Sequence, residues 1–581
     1  MRLAIIHKEK CKPGACGNVC KKYCPVEKKE RDTCVTIKED ENQGKARIEE
    51  KTCIGCSICV QRCPLDAIEI INLPEIKEED LVYRYGENGF ALYGMAQPKQ
   101  GGVLGFLGRN GIGKSTAIKI LAGKEKINLG KNASEKEVRD FLKGNEIIKY
   151  FDSLEDKKIS YKPQNLSNIA VDMKVHELLK KRGKEKEIEE LSKKLNVFHL
   201  LENKLNSLSG GELQRVAIIA AVLGNADIYF FDEPLAFLDI SERLRVSDFI
   251  LELAKKDKVV VIVEHDLLIL DYLTDYLNIF FGSPGAFGLI SGVKTSKAGI
   301  NEYLHGYLKS ENLRIRDKEL NFNFNKNSSS AGAKIGNWED FSLKFDNFSL
   351  DVKAGEIRQN HVIGILGRNG TGKTSFVKAF AGEVDVMVDG KKQKLDLDLK
   401  ISYKPQYLFT DSGEIIRDVA FKEKINKKLA SIFHLEGLMQ KKVKELSGGE
   451  LQRFSIARCL AKDADVYLID EPSAYLDVEE RISCAKSIRE IMNEKEKTAF
   501  VVDHDLLLVS YLADNLMVFS GEPGKHGVAS GILEFEDGVT KLLKELDVTL
   551  RKDRESGRPR INKKGSVLDR EQRAKGEWAS F

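Results

Sequence analysis

Lys114 and Lys373 each close a G-x-x-x-x-G-K-[ST] run, Gly108 to Ser115 and Gly367 to Thr374. In such a run the backbone N–H groups around Gly108, Asn110, Gly111 and Gly113, and around Gly367, Asn369, Gly370 and Gly372, can wrap a polyphosphate. The lysine neutralises the β and γ oxygens, and the hydroxyl of Ser115 or Thr374 ligates magnesium, with Thr116 and Ser375 following at the helix start. Asp232 and Asp470 follow short apolar strands, where a carboxylate can hold the magnesium shell. The adjacent Glu233 and Glu471 are placed to polarise an attacking water and accept its proton. Gln164 and Gln406 can sense both magnesium and water. His265 and His504, each after another apolar strand, can hydrogen-bond a γ-phosphate. The chemistry these residues describe is hydrolysis of a nucleoside triphosphate, twice over.

The duplication extends beyond these side chains. LGFLGRNGIGKST (104–116), ISYKPQ (159–164), LSGGELQR (208–215), IYFFDEP (228–234) and VEHD (263–266) recur in the same order as IGILGRNGTGKTS, ISYKPQ, LSGGELQR, VYLIDEP and VDHD. A Ser-Gly-Gly ahead of a helix presents N–H groups to an anion. LSGGELQR resembles the signature of the ABC ATPase superfamily, in which it completes the partner domain's site. That resemblance implies that Ser447, Gly448, Gly449 and Glu450 serve the Lys114 site, and that Ser209, Gly210, Gly211 and Glu212 serve the Lys373 site, with ATP as the glue between halves. Aromatic residues ahead of each phosphate loop, Tyr85 and Phe90 and then Phe345 and Phe348, are candidates for stacking on adenine, against the alternative of simple packing. The isolated His176, His199 and His434 read as ordinary surface or core residues.

Nine of the eleven cysteines precede residue 64. Cys53-x2-Cys56-x2-Cys59-x3-Cys63-Pro64 resembles the run that binds [4Fe-4S] in bacterial ferredoxins, whose fourth cysteine ligates the other cluster. The earlier run, Cys11-x4-Cys16-x3-Cys20-x3-Cys24-Pro25, shares the closing x3-Cys-Pro. The crossed arrangement implies Cys53, Cys56, Cys59 and Cys24 on one cluster, and Cys11, Cys16, Cys20 and Cys63 on the second. Zinc is the competing reading of C-x2-C pairs, which in zinc sites come as two separated pairs. Cys34 is left over and reads as a small buried residue.

These residues need a scaffold. Segments between the motifs alternate apolar runs with helical patterns, the signature of an α/β unit around a largely parallel sheet. At roughly 150 residues per domain, 581 residues make three or four units. The expected order is a ferredoxin-like α+β domain over 1–75, a first nucleotide-binding domain over 76–281, a connector over 282–320, a second nucleotide-binding domain over 321–520 and a basic C-terminal segment over 521–581. The first half is longer: Lys114 to Gln164 is 50 residues, against 33 from Lys373 to Gln406. The excess, near 134–154, holds Ser134 with Glu137 as a capping box and Gly144 between two amphipathic stretches, which predicts a helix-loop-helix. Residues 551–581 carry ten Lys or Arg against five Asp or Glu, so the formal net charge of +4 resides in the tail. No apolar run reaches the roughly 18 residues of a membrane span, and no signal peptide opens the chain, so a cytoplasmic location is expected.

A ferredoxin-like front end, two ABC domains, a helix-loop-helix in the first and paired hinges together resemble the E-family ABC protein of archaea and eukaryotes, the ribosome-recycling ATPase also called RNase L inhibitor. INEYLHGYLKSENLRIR (300–316) and RKDRESGRPRINKKGSVLDREQR (551–573) are similar to hinge segments of that family. The family implies ATP, Mg2+ and two [4Fe-4S] clusters in a single chain. It further implies ATP-driven closure that swings the iron-sulfur domain and splits a ribosome carrying a release factor or a Pelota-type rescue factor, after which the protein stays on the small subunit until hydrolysis. Arg314, Arg316, Arg558, Arg560, Lys563 and Lys564 are candidates for rRNA phosphate contacts. Both phosphate loops read G-R-N-G, which puts Arg109 and Arg368 beside the nucleotide, and Leu235 stands where the second half has Ser473. Competing readings are a transporter ATPase, a DNA-repair or other nucleic-acid ABC ATPase, and an iron-sulfur carrier; the intact Asp232/Glu233 and Asp470/Glu471 pairs argue against the last.

Overall fold

A computed structural model of the chain describes residues 2–6, 10–30, 33–37, 44–49, 52–72, 80–316, 319–320, 332–388, 391–395, 397–406 and 413–580. The expected boundaries at 75/76 and 320/321 involve residues outside that set.

Each half is built on one sheet. In the first, Ile159–Lys162, Ile228–Asp232, Val259–Val263, Val103–Gly108 and Tyr276–Ser283 lie side by side and all parallel. VVVIV at 259–263 is buried throughout, as a strand covered on both faces requires. The second half repeats the order with Ile401–Lys404, Val466–Asp470, Thr498–Val502, Val362–Gly367 and Asn515–Glu522. Both phosphate loops, both Asp-Glu pairs and both switch histidines therefore leave the same, C-terminal edge of a parallel sheet, where α/β proteins gather their ligands. In the first half, helices Glu135–Leu142 and Ile147–Asp152 follow the phosphate-loop helix. Glu137 N–H donates to the Ser134 hydroxyl, and the Glu137 carboxylate accepts from Ser134 N–H at 2.8 Å.

The N-terminal domain is small. Antiparallel strands Arg2–Ile6 and Ile68–Asn72 form one ribbon, Val35–Thr36 and Arg47–Ile48 another, and helices Val19–Tyr23 and Ile58–Arg62 pack together. Among its described buried apolar residues, five of eleven are cysteines. Cysteines so prominent in the described core suit ligation that supplies folding free energy.

The connectors are ordered structure. Helix Ser296–His305 packs beneath the first sheet, and its Asn301 amide donates to Asp553 and Glu555 of the C-terminal segment at 3.2 and 2.8 Å. That segment forms a three-stranded sheet from Leu550–Lys552, Pro559–Ile561 and Ala579–Ser580, with helix Val567–Lys575 against it. Asp271, on helix Leu267–Leu273 of the first half, accepts from Arg558 at 3.1 Å and from Arg560 at 2.5 and 3.0 Å.

Candidate active site

Each phosphate loop is a cradle of left-handed glycines. Gly111 and Gly113 have φ of +70° and +97°, and a Cβ on Gly113 would lie 2.7 Å from the Phe90 ring. Gly370 and Gly372 repeat this at +74° and +97°, with Phe348 in the place of Phe90. Lys114 Nζ donates to the carbonyls of Gly108 and Arg109 at 2.8 and 2.7 Å, and Lys373 to those of Gly367 and Arg368 at 2.9 and 2.8 Å. Burial pushes both ammonium groups down to about 8. A phosphate would draw each lysine off its carbonyls and stabilise its charge.

The first loop opens on a cavity of about 320 Å³ whose lining includes Tyr85, Phe90, Asn110, Gly111, Gly113, Lys114, Ser115, Thr116, Gln164 and Glu233. One space thus joins the adenine candidates to the catalytic candidates. In the second half, Thr374 Oγ1 donates to Asp470 at 3.2 Å, and the Phe345 and Phe348 rings stack with centroids 6.3 Å apart.

The carboxylates divide by environment. Glu233 is half-buried, and desolvation alone would raise its pKa, but His265, Lys114 and Gln164 bring it down to about 2; Glu471 is held at about 2 by His504, Gln406 and Lys373. The contacts match: Gln164 Nε2 donates to Glu233 at 2.9 Å with His265 Nε2 3.2 Å away, and Gln406 donates to Glu471 at 2.8 Å with His504 Nε2 3.3 Å away. Asp232 and Asp470 move oppositely. Desolvation and the neighbouring glutamate raise both, Asp470 to about 7, and the Oδ1 of each is buried without a hydrogen-bond partner. A buried carboxylate oxygen with a free lone pair beside a Ser or Thr hydroxyl fits Mg2+, which would keep the group ionised.

Ser209 and Ser447 cap the helices Gly210–Val222 and Gly448–Ala461, each exchanging hydrogen bonds with Glu212 or Glu450. A Cβ on Gly211 would lie 2.9 Å from the Phe237 carbonyl, and one on Gly448 3.0 Å from the Tyr475 ring, so each signature needs glycine to pack on the loop beyond its own Asp-Glu pair. The described lining of the first cavity comes wholly from the first half; Ser447 and Gly449 are outside it. What joins the halves at the phosphate loops is a pair absent from the sequence reading. Asp477 accepts from Asn110 N–H at 2.9 Å, and Asp239 accepts from Asn369 N–H at 2.6 Å. Phe237 and Tyr475 meet edge-to-face between them, centroids 6.2 Å apart.

Lys162 and Lys404 were also missed, although ISYKPQ repeats verbatim in both halves. Each buried lysine donates to the carbonyls of its Asp-Glu pair, Lys162 at 2.9 and 3.0 Å, Lys404 at 2.6 and 3.4 Å. Arg109 lies 3.7 Å from Glu479 of the other half, which also accepts from Tyr303 and Arg316. Arg368 instead lies near Glu545. The hinge arginines correct one expectation: Arg558 is fully buried on Asp271, Arg560 shares that carboxylate and Arg316 is consumed by Glu479, so these three face acidic partners inside the fold rather than solvent. Lys563 and Lys564 form exposed pairs with Asp275 and Asp547, and Arg314 remains at the surface.

In the N-terminal domain, Cys59 feels Cys53, Cys56 and Cys24, while Cys20 feels Cys16, Cys11 and, more weakly, Cys59. Burial first, and then these neighbours, push the two thiols to about 11 and about 12, so a bound metal centre would be needed to hold them as thiolates. Ala67 N–H donates to Cys63 Sγ at 3.4 Å. Among the described residues, no three His, Cys, Asp or Glu side chains converge as one metal ion would require. Eight cysteines spaced as paired ferredoxin-like runs suit [4Fe-4S] clusters. Cys34, 2% exposed, hydrogen-bonds to Cys53 and Cys24, which belong to one expected ligand set. Its strand is held by the buried Glu27, which accepts from the N–H groups of Cys34 and Val35 at 2.5 and 2.6 Å.

Comparison with known proteins agrees with this arrangement. The ABC transporter family model matches residues 96–236 and 345–474, a model described as a possible Fer4-like domain in RNase L inhibitor matches 1–31, and the 4Fe-4S binding domain matches 46–69. An uncharacterized ABC transporter ATP-binding protein of Methanocaldococcus jannaschii is 46% identical over 100% of this chain and 97% of its own length. Translation initiation factor RLI1 of Saccharomyces cerevisiae is 39% identical over 99% of this chain and 98% of its own. A solved structure described as a model of ribosome-bound archaeal Pelota and ABCE1 superposes with a TM-score of 0.91 at 43% identity, covering 100% of this chain and 99% of the matched one. Tandem ABC halves, an iron-sulfur front end and end-to-end similarity place one conclusion beyond the fold: this chain belongs to the RNase L inhibitor family, the E family of ABC proteins.

Proposed function

We propose that ATP binding draws the two halves together over two composite sites, and that the motion is spent on splitting a ribosome into its subunits. The protein is an ABC-type ATPase of ribosome recycling, with ATP, Mg2+ and two [4Fe-4S] clusters as its cofactors. The reciprocal bonds Asp477 to Asn110 and Asp239 to Asn369 carry the reading. Each phosphate loop is already touched by the opposite half, so occupancy of one nucleotide site is felt by the domain that holds the other.

Lys114, Ser115, Asp232 and Gln164 would hold Mg2+ and the phosphates in the first site, and Lys373, Thr374, Asp470 and Gln406 in the second. Ser447 and Gly449, and Ser209 and Gly211, close on the γ-phosphate of the opposite loop. Glu233 and Glu471, kept ionised, orient and polarise water rather than store a proton at neutral pH. His265 and His504 hold each glutamate and stand ready for the γ-phosphate. Magnesium, when bound, would supply charge neutralisation for the phosphates.

The relatives named for initiation factor RLI1 and for a ribosome-bound complex with Pelota support a ribosomal partner that carries a release or rescue factor. Cys53, Cys56, Cys59 and Cys24, and Cys11, Cys16, Cys20 and Cys63, would each hold a [4Fe-4S] cluster, and that ligation would stiffen the N-terminal domain. Among the described residues, no helix is long and apolar enough to cross a membrane; we place the protein in the cytoplasm, as one chain carrying both half-sites.

The test is gradient sedimentation of ribosomes with a release or Pelota-type factor, anaerobically purified protein and ATP. Free subunits with wild type, and intact ribosomes with Cys24→Ser, Cys63→Ser or without ATP, are expected. Ribosomes that stay whole with wild type would overturn the assignment.

A further inference from the structure

The two halves solve one local problem with different residues. In the first, Glu264, between strand Val259–Val263 and His265, accepts from Leu235 N–H at 2.8 Å. In the second, Asp503, before His504, accepts from Ser473 N–H at 3.0 Å and from Ser473 Oγ at 2.7 Å. Both carboxylates are buried, and both reach the residue two beyond the catalytic glutamate. A second tie lies alongside: Glu233 N–H donates to the Val263 carbonyl at 3.0 Å and Glu471 N–H to that of Val502 at 2.8 Å.

The tied loop is under backbone strain. Glu233 and Phe237 have φ of +46° and +64°, and Glu471 and Tyr475 +48° and +63°, a region that residues with side chains occupy only when their surroundings hold them. The same loop runs on to Asp239 or Asp477, the residue that touches the opposite phosphate loop.

We propose that Glu264 and Asp503 are positioning residues of the two ATP sites. Each clamps the loop running from the catalytic glutamate to the interface aspartate against the strand end that carries the switch histidine, and Leu235/Glu264 and Ser473/Asp503 are matched versions of one clamp. Where serine contributes its own hydroxyl, the short Asp503 suffices. Where leucine contributes only its N–H, Glu264 takes that single bond, and shortening it by one C–C bond, roughly 1.5 Å, would put that bond at risk with no hydroxyl to make up the loss. Leu235 therefore leaves the first loop tied to its strand end by one bond where the second has two. The proposal rests on Glu233 and Glu471 being the catalytic carboxylates.

The experiment uses the full-length protein with its clusters. Site 1 is read in a Glu471→Gln background and site 2 in a Glu233→Gln background, by kcat and KM for ATP, with thermal unfolding as a fold control. Glu264→Asp is expected to lower site 1 kcat roughly tenfold, with KM changed by no more than about twofold, and Leu235→Ser added to Glu264→Asp restores most of the loss. Ser473→Leu lowers site 2 turnover, and Ser473→Leu with Asp503→Glu restores it. A kcat unmoved by Glu264→Asp, or losses that neither second substitution repairs, overturns the clamp. Should Glu264→Asp fail to fold, the site 2 pair decides alone. Full turnover in Glu233→Gln combined with Glu471→Gln would instead remove the catalytic reading, an outcome separate from failure of the clamp.

Discussion

The Asn88 side chain accepts a hydrogen bond from Ile48 N–H at 2.9 Å and returns one to the Ile48 carbonyl at 2.8 Å. Ile48 belongs to a two-stranded edge of the N-terminal domain, and Asn88 sits in the YGENGF loop whose ends, Tyr85 and Phe90, line the first ATP cavity. The Asn88 carbonyl also accepts from Ile6 N–H at 3.1 Å. One side of a six-residue loop thus faces the nucleotide, and the other completes a strand of the iron-sulfur domain. The equivalent loop in the second half, FDNF (345–348), is two residues shorter.

Asn88→Ala leaves the Ile48 N–H and carbonyl without their buried partner, a loss of about 1–3 kcal/mol of docking. Distances between spin labels on the N-terminal domain and the second half should broaden in the absence of ribosomes. An unchanged distribution counts against Asn88 as the latch.

Asp477→Ala and Asp239→Ala should act crosswise. Each removes the acceptor from the opposite phosphate loop, so Asp477→Ala weakens nucleotide trapping at the Lys114 site and Asp239→Ala at the Lys373 site, by about 1.5–3 kcal/mol for a charged acceptor. Site-resolved trapping reads this; impairment of each variant's own site would refute it.

Burial pushes Glu264 up to about 7 from its ordinary 4.5, outweighing the Leu235 N–H and Arg243 that favour its charge; Glu233 and Asp266 face it too, as does Lys162. Between these values the folded protein holds a proton that the unfolded chain has released. Stability from this group is therefore complete below about pH 4.5 and falls as pH rises to about 7. Glu264→Gln abolishes the titration. Relative to wild type it should gain up to about 3 kcal/mol between about pH 5 and about pH 8, measured by denaturant unfolding. A pH-independent difference would mean that Glu264 is ionised throughout.

Cys24→Ser should cost the protein one cluster's iron and the matching charge-transfer absorbance, whereas Cys34→Ala should retain both clusters although Cys34 touches Cys24 and Cys53. Iron loss in Cys34→Ala would make Cys34 a ligand.

Residues that must meet one chemical object declare themselves by type and order. Lys114 with Ser115, Gln164 and Glu233 come from three separate motifs and line one cavity, and both halves resolve into parallel α/β sheets from the alternation of apolar and helical stretches. Residues that act on the backbone do not. Lys162 serves two carbonyls, Asn88 one peptide edge and Asp239 an N–H group 130 residues away, and none of these backbone partners has a side-chain signature. The hinge arginines misled for a related reason: charge composition describes a segment's average, while Arg558 is placed by a single carboxylate, Asp271, that only the fold brings near.

Asp271 lies on the short helix that starts two residues after His265. Arg558 and Arg560 grip it from the C-terminal segment, and a buried pair of this kind costs about 3–5 kcal/mol to break. Any displacement of the helix behind the switch histidine must therefore carry the C-terminal segment along or break that grip.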